Sequence, residues 1–166
     1  MSDESPSTAS ESPAAPLLQD DIEIGAPLEQ VWELVKDVRR MADWSPQVSS
    51  TRLRKGFDQV ELGAQFTSLN SEGGFDWVTH GEVVRFADQR ELAFRIEENW
   101  VIWSYTLERA GADGTRLTQR RDTPEGISPL SKQFTENYPG GNDAFTAGMR
   151  AGMRRTLENI KSQAER

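Results

Sequence analysis

Between Val48 and Thr123 apolar and polar positions alternate with a period of two, which is the pattern of half-buried strands. The alternation predicts strands near residues 48–53, 65–69, 76–86, 91–98, 101–108 and 115–123. Turn residues separate them: Lys55-Gly56, Glu72-Gly73-Gly74, Ala87-Asp88-Gln89 and Gly111-Ala112-Asp113-Gly114. Such short connections imply an antiparallel meander, because a parallel return needs a crossover of about a dozen residues or more. Ahead of the strands the period is helical. Residues 21–24 predict a short first strand. Pro27 then opens a stretch in which Val31, Leu34, Val35 and Val38 fall on one face, widened by Trp32. A short second helix is predicted around residues 39–42. Trp44-Ser45-Pro46 ends the helical region, since a residue before proline is pushed out of the helical well.

The pattern breaks after Asp122-Thr123. PEGISPLSKQFTENYPGG predicts a loop with at most one short helical piece. A long last helix follows, with Asn142 as its expected cap. Along one side of it run Phe145, Met149, Met153, Thr156, Leu157 and Ile160. Gly148 and Gly152 lie near that same side. A glycine inside a helix costs about 1 kcal/mol relative to alanine, so the two positions suggest that a close strand or a ligand uses the space they leave.

One short strand, two short helices, six further antiparallel strands and one long amphipathic helix define an α+β domain. The sheet must bury an apolar face, and the last helix is the element long enough to cover it. Residues 1–20, rich in Ser, Pro and acidic side chains and lacking Lys and Arg, predict a disordered N-terminal tail; residues 21–163 predict a single domain.

Composition narrows the chemistry. A folded body of roughly 140–150 residues buries enough surface to need no staple. The chain has no cysteine, which removes disulfides and thiolate chemistry, and one histidine, His80, which removes multi-histidine zinc sites. No dinucleotide or phosphate-loop glycine motif is present, and neither a cofactor nor a metal is expected. A formal net charge of -8 disfavours nucleic acid as a partner. No apolar run is long enough for stable membrane insertion, and the start lacks a basic, apolar leader, so cytoplasmic residence is the default expectation. A monomer or homodimer is expected.

Several segments resemble one family. APLEQVWELVKDVRRMADWSP is similar to the first helix and Trp-Ser-Pro exit of the START-like, or SRPBCC, helix-grip proteins, and within them of the polyketide cyclase/dehydrase family. GAQFTSLNSEGGFDW resembles that family's Gly-x-x-Phe-x-x-x-Asn strand and turn. ELAFRI, the Trp103-Ser104-Tyr105 strand and Gly114-Thr115 before RLTQRRD are further family-like features. The resemblance spans residues 22–160. It implies a helix-grip fold, a curved seven-stranded antiparallel sheet around the C-terminal helix, with a ligand cavity between them. It also implies a range of roles, from aromatases and cyclases to lipid carriers and hormone receptors.

Strand parity nominates the cavity side chains. Phe66, Ser68 and Asn70 share a face with Ala64; Phe94 with Leu92 and Ile96; Trp103 and Tyr105 with Val101 and Leu107; Gln119 and Arg121 with Leu117. With Phe145 and Met149 from the last helix, the candidate ligand-binding set is Phe66, Asn70, Phe94, Trp103, Tyr105, Gln119, Arg121, Phe145 and Met149. The aromatic and aliphatic members serve equally well as plain core. Asn70 has a rival role in capping the following turn. An inward Arg121 needs a partner, an opening or an anionic ligand. His80 and Glu82 are predicted to face outward together.

The leading expectation is a binding protein for a hydrophobic or aromatic small molecule, lipid or polyketide-like. A second is an aromatase/cyclase or dehydratase, with Arg121 stabilising an enolate and Tyr105 donating a proton. A third is a protein-interaction or stress-regulatory module, supported by the basic residues Arg150, Arg154, Arg155 and Lys161 on the last helix. Whether the chain is an enzyme stays open at this point.

Overall fold

A computed structural model describes residues 17–166. The elements are β1 (Leu18–Ile24), α1 (Leu28–Val35), a 3-10 helix (Val38–Asp43), β2 (Val48–Leu53), β3 (Gln65–Glu72), β4 (Phe75–Ala87), β5 (Glu91–Ile96), β6 (Ile102–Ala110), β7 (Gly114–Asp122), α2 (Pro129–Glu136) and α3 (Gly141–Ala164). The seven strands form one sheet in the order β1-β7-β6-β5-β4-β3-β2, antiparallel throughout. Register shifts in β2, between Val48 and Ser50, and in β4, between Val83 and Arg85, add local bends. The concave face meets α3, which gives the expected helix grip.

The expected strand parity holds. Ala64, Phe66, Ser68 and Asn70 are buried along β3, as are Leu117, Gln119 and Arg121 along β7. Val31, Trp32, Val35 and Val38 close one end of the sheet together with Leu157, Ile160 and Ala164 of α3. Each such side chain contributes roughly 1.5–3 kcal/mol by leaving water. Polar links fix this end. Gln30 Nε2 donates to Ala164 O at 2.5 Å, Gln163 Nε2 to Asp43 O at 2.8 Å, and Asn159 Nδ2 to Trp44 O at 2.9 Å. The chain just after the 3-10 helix is thereby fastened to α3.

Four expectations are corrected. Leu18, Gln19 and Asp20, assigned to the tail, belong to β1, where they pair with Arg121, Arg120 and Gln119. Arg154 grips the Asp20 carboxylate with two nitrogens and also donates to Asp21 O. The tail's polar composition concealed this, because an edge strand facing solvent on one side reads as polar. The rest of the predicted tail, residues 1–16, lies outside the described residues. Second, the short helix expected near residues 39–42 is a 3-10 helix, capped by Asp37, whose carboxylate accepts from Arg39 N at 2.9 Å. Third, α3 is not capped by Asn142; the cap lies two residues earlier at Gly140, whose φ of 88° turns the chain into the helix without a side-chain bond. Fourth, two of the four basic residues of α3 are not free, while Arg150 and Arg155 are exposed as expected. Arg154 is held by β1, and Lys161 donates to Glu23 O and to Glu165.

Gly81 of β4 lies opposite Phe66 of β3, and the Phe66 ring occupies the space a side chain there would take. A Cβ at Gly81 would sit 2.3 Å from Phe66 Cζ. Phe66 in turn meets Phe94 edge-on, with centroids 5.4 Å apart. Gly81→Ala is therefore expected to destabilise the fold by about 1–3 kcal/mol, as overpacking does. Gly81→Ala combined with Phe66→Leu should recover part of that loss in urea unfolding. Equal stability of Gly81→Ala and the unmodified chain would show that the ring can move aside without cost.

Candidate functional site

The two halves of α3 do different work. In the C-terminal half, Met153, Thr156, Leu157 and Ile160 are buried. In the N-terminal half the helix presents Gly148 and Gly152 where larger side chains would reach the sheet. A Cβ on Gly152 would meet nothing within 4 Å, and one on Gly148 only Tyr138 Oη at 3.8 Å. The consequence is a cavity of about 600 Å³ between this half of α3 and the concave sheet. Its inner wall is Phe66, Phe94, Ile96, Trp103, Tyr105, Trp77 and Met153. Exposed residues mark its mouth: Pro46 and Gln47 before β2, Glu72 and Gly73 at the β3–β4 turn, and Gly148, Ala151 and Arg155 on α3.

Of the nine candidate ligand-binding residues, the structure brings Phe66, Asn70, Phe94, Trp103, Tyr105, Gln119 and Met149 together on this wall. Arg121 and Phe145 are not part of it. Arg121 does face the concave side and is buried, but its guanidinium lies 5.7 Å from the Phe145 ring centroid. Phe145 also packs edge-on against Tyr138, which packs against Phe134. These rings stack α2 onto the start of α3. Arg121 Nη1 has no hydrogen-bond partner among the described residues, and burial lowers the guanidinium's affinity for its proton.

Residues that the nominated set left out include Met41, Ser45, Pro46, Gln47, Val48, Trp77, Thr79 and Gly152. Trp77 and Thr79 were legible as inward-facing by parity, and Gly152 as an unexplained helix glycine. The segment 45–48 carried no signal, because its place over the mouth depends on the bonds from Asn159 and Gln163 of α3.

The polar groups of the wall are few. Asn70 Nδ2 faces Thr79 Oγ1 at 3.0 Å, Trp77 O at 3.3 Å and Ser68 O at 3.4 Å. Two of these three are backbone carbonyls, which only accept, so the amide orientation is fixed and Asn70 Oδ1 is the end left without a partner. The turn-capping role predicted as an alternative is replaced by this cross-strand network. Ser68 Oγ and Thr51 Oγ1 satisfy each other at 2.8 Å. Gln119 Nε2 donates to Tyr105 Oη at 3.2 Å, while Gln119 Oε1 is buried without a partner. Desolvation drives the Tyr105 phenol well above its ordinary range, opposed in part by the nearby Trp44 indole. Tyr105 is thus a neutral O–H group whose proton has no acceptor in the described hydrogen bonds.

His80 stands on the convex side. Its Nδ1 lies 2.5 Å from Glu98 Oε2, and its backbone N–H donates to Glu98 Oε1 at 2.8 Å. The expected outward direction is correct; its partner is Glu98, from the turn after β5, and not Glu82. Neither residue reaches the cavity.

Residues 16–165 match the family described as polyketide cyclase / dehydrase and lipid transport. Among solved structures, the chain is similar to a polyketide-cyclase-like protein of Corynebacterium glutamicum, with 27% identity, 87% of this chain and 88% of that chain covered, and a TM-score of 0.56. A Thermus thermophilus protein superposes with a TM-score of 0.65 at 15% identity, covering 90% of this chain and 97% of its own. A Deinococcus radiodurans protein gives 0.61 at 15% identity, covering 90% and 98%. The last two likenesses speak for the fold. No curated protein matches the chain. No described helix is long and apolar enough to cross a membrane.

The Tyr105 shift has a pH consequence. A phenol whose proton is held more tightly in the folded chain stabilises the fold fully below its unfolded value, about 10. That contribution falls as pH rises through that value toward the higher folded one. In a Tyr138→Phe chain, which leaves Tyr105 as the remaining tyrosine, phenolate absorbance should appear only together with loss of near-ultraviolet dichroism. Phenolate formation near pH 10 with the fold intact would show that Tyr105 is reached by water.

Proposed function

Since the chain belongs to the polyketide cyclase / dehydrase and lipid transport family, we propose that it binds one hydrophobic or aromatic small molecule, lipid or polyketide-like, in the cavity between the sheet and α3. The observation that carries this reading is the open space at Gly148 and Gly152. Two glycines cost helix stability, and they face a cavity whose volume suits a drug-sized ligand. Phe66, Phe94, Trp103 and Met149 would supply affinity by apolar burial, about 25 cal/mol per Å² removed from water. The polar minority would set the ligand's orientation. The mouth lies between Pro46-Gln47, the β3–β4 turn and α3, and α2 with Phe134 and Tyr138 borders the adjoining end of the helix.

The cyclase or dehydratase reading rests on fewer groups than the sequence suggested. Arg121 stands outside the wall, with its guanidinium over the Phe145 ring. Tyr105 remains as a neutral proton donor in the wall, and it is the residue on which a test of turnover should centre. The interaction-module reading loses its basis where Arg154 and Lys161 are fastened to β1 and Glu165.

Binding of the fluorescent apolar probe N-phenyl-1-naphthylamine tests the proposal. One probe per chain is expected, with quenching of tryptophan emission, because Trp77 and Trp103 line the cavity. Gly152→Leu should fill the space and weaken binding by about tenfold or more, a loss of about 1.4 kcal/mol or more. Its thermal midpoint should not fall, because a helix-interior glycine is replaced by a better helix former. Equal probe binding by both chains would place the probe elsewhere and remove the cavity reading.

A further inference from the structure

The hydrogen-bonding capacity left open in the cavity wall is mixed, with acceptors and donors side by side and no charge among them. Asn70 Oδ1 is a free acceptor, fixed in that orientation by the carbonyls of Ser68 and Trp77 that hold its nitrogen. Gln119 Oε1 is a second acceptor without a partner. The Tyr105 O–H is a donor, since its oxygen already accepts from Gln119. If the Gln119 amide is turned end for end, the Tyr105 proton goes to the amide oxygen. The pair then offers the amide N–H group and the phenol oxygen, so neutral donors and an acceptor remain in either arrangement. Of the other polar groups of the wall, the hydroxyls of Ser68, Thr79 and Thr156 are engaged, with Thr51, Asn70 and Gly152 O, while the indole N–H groups of Trp77 and Trp103 are further neutral donors.

No cationic side chain stands in the inner wall. Arg155 is exposed at the mouth. Arg121 is buried nearby, one strand position across from Trp103, but it is absent from the wall and faces the Phe145 ring. A carboxylate driven into this cavity would lose its hydration, meet at least one fixed carbonyl oxygen, and find neutral donors alone. A hydroxyl both donates and accepts, so it answers either arrangement of the Tyr105–Gln119 pair and also the Asn70 carbonyl.

Resting on the cavity reading above, we infer that the ligand is neutral and bears one or more hydroxyl groups on its buried, otherwise apolar end, and that Tyr105, Gln119 and Asn70 discriminate against carboxylates, ethers and bare hydrocarbons of the same shape. The ligand class is hydroxylated aromatics or alicyclic alcohols. The ionised headgroup of a fatty acid does not fit the inner end. Specificity arises from the groups a wrong ligand would leave unpaired, which is a stronger discriminator than pocket shape.

A series on one ring system tests this on the full chain: pyrene, 1-methoxypyrene, 1-hydroxypyrene and 1-pyrenecarboxylate, at mildly acidic pH where the hydroxyl is neutral. In the unmodified protein 1-hydroxypyrene should bind at least about tenfold tighter than pyrene and 1-methoxypyrene, with the carboxylate weakest. That preference, read as the ratio of the two affinities in each chain, should shrink severalfold in Gln119→Leu and in Tyr105→Phe. Equal affinity for the first three compounds, with all lost in Gly152→Leu, would overturn the hydroxyl assignment and leave the cavity reading standing. Tightest binding of the carboxylate would also overturn it, and would mean that Arg121 is reached past Phe145. Failure of all four to bind would remove the cavity reading and this inference with it. The comparison among ligands in the unmodified protein decides the matter even if a variant does not fold.

Discussion

A single helix has to cover the whole concave face of a seven-stranded sheet, and α3 does so with only half its length. From Met153 onward the side chains that face the sheet, Met153, Leu157 and Ile160, are large and buried, and Leu157 and Ile160 close the core with Val31, Trp32 and Val35. Before Met153 the positions facing the sheet include Gly148 and Gly152, which have nothing to offer. The sheet opposite them keeps its aromatic side chains all the same. An apolar wall and a bare helix face cannot meet, so a cavity stays between them. The well-packed half makes this possible, because it holds the helix at a fixed height above the sheet.

The same division explains where polar groups are placed. In the packed half they serve as ties: Gln30, Asn159 and Gln163 hold α3 to the helical segment after β1, and through it they set the position of residues 45–48 over the mouth. Arg154 ties α3 to β1 at the sheet's edge. In the open half the polar groups come from β3, β6 and β7, from the middle of the sheet. Asn70, Tyr105 and Gln119 are almost wholly buried, yet each retains unspent hydrogen-bonding capacity. Buried polar groups left in that condition are costly unless something completes them, so these three are the chemically informative part of the wall.

Much of this was legible in the chain. Period-two alternation named the strands, and parity sorted the inward from the outward residues on β3, β5, β6 and β7. Seven of the nine nominated side chains line the cavity, and for the six on strands this is because parity is a local property: once one residue of a strand is known to face in, its neighbours follow. The two exceptions, Arg121 and Phe145, also face the interior. They fall outside the wall because they meet each other and because Tyr138 packs onto Phe145, contacts between segments far apart in sequence. Leu18 to Asp20 escaped detection for a related reason, since an edge strand with one solvated face has too little apolar content to stand out from a polar leader.

The sequence by itself determined the fold class, the inward face of each strand and the two helix glycines that had to be explained, because these depend on local periodicity and local backbone cost. Tertiary structure alone decided that the glycines face empty space, that residues 45–48 frame an opening, that His80 pairs with Glu98, and that Arg121 is held away from the cavity. Each of these depends on distances between elements that are set by the packing of α3 against the sheet. No residue pattern within a single element carries that height.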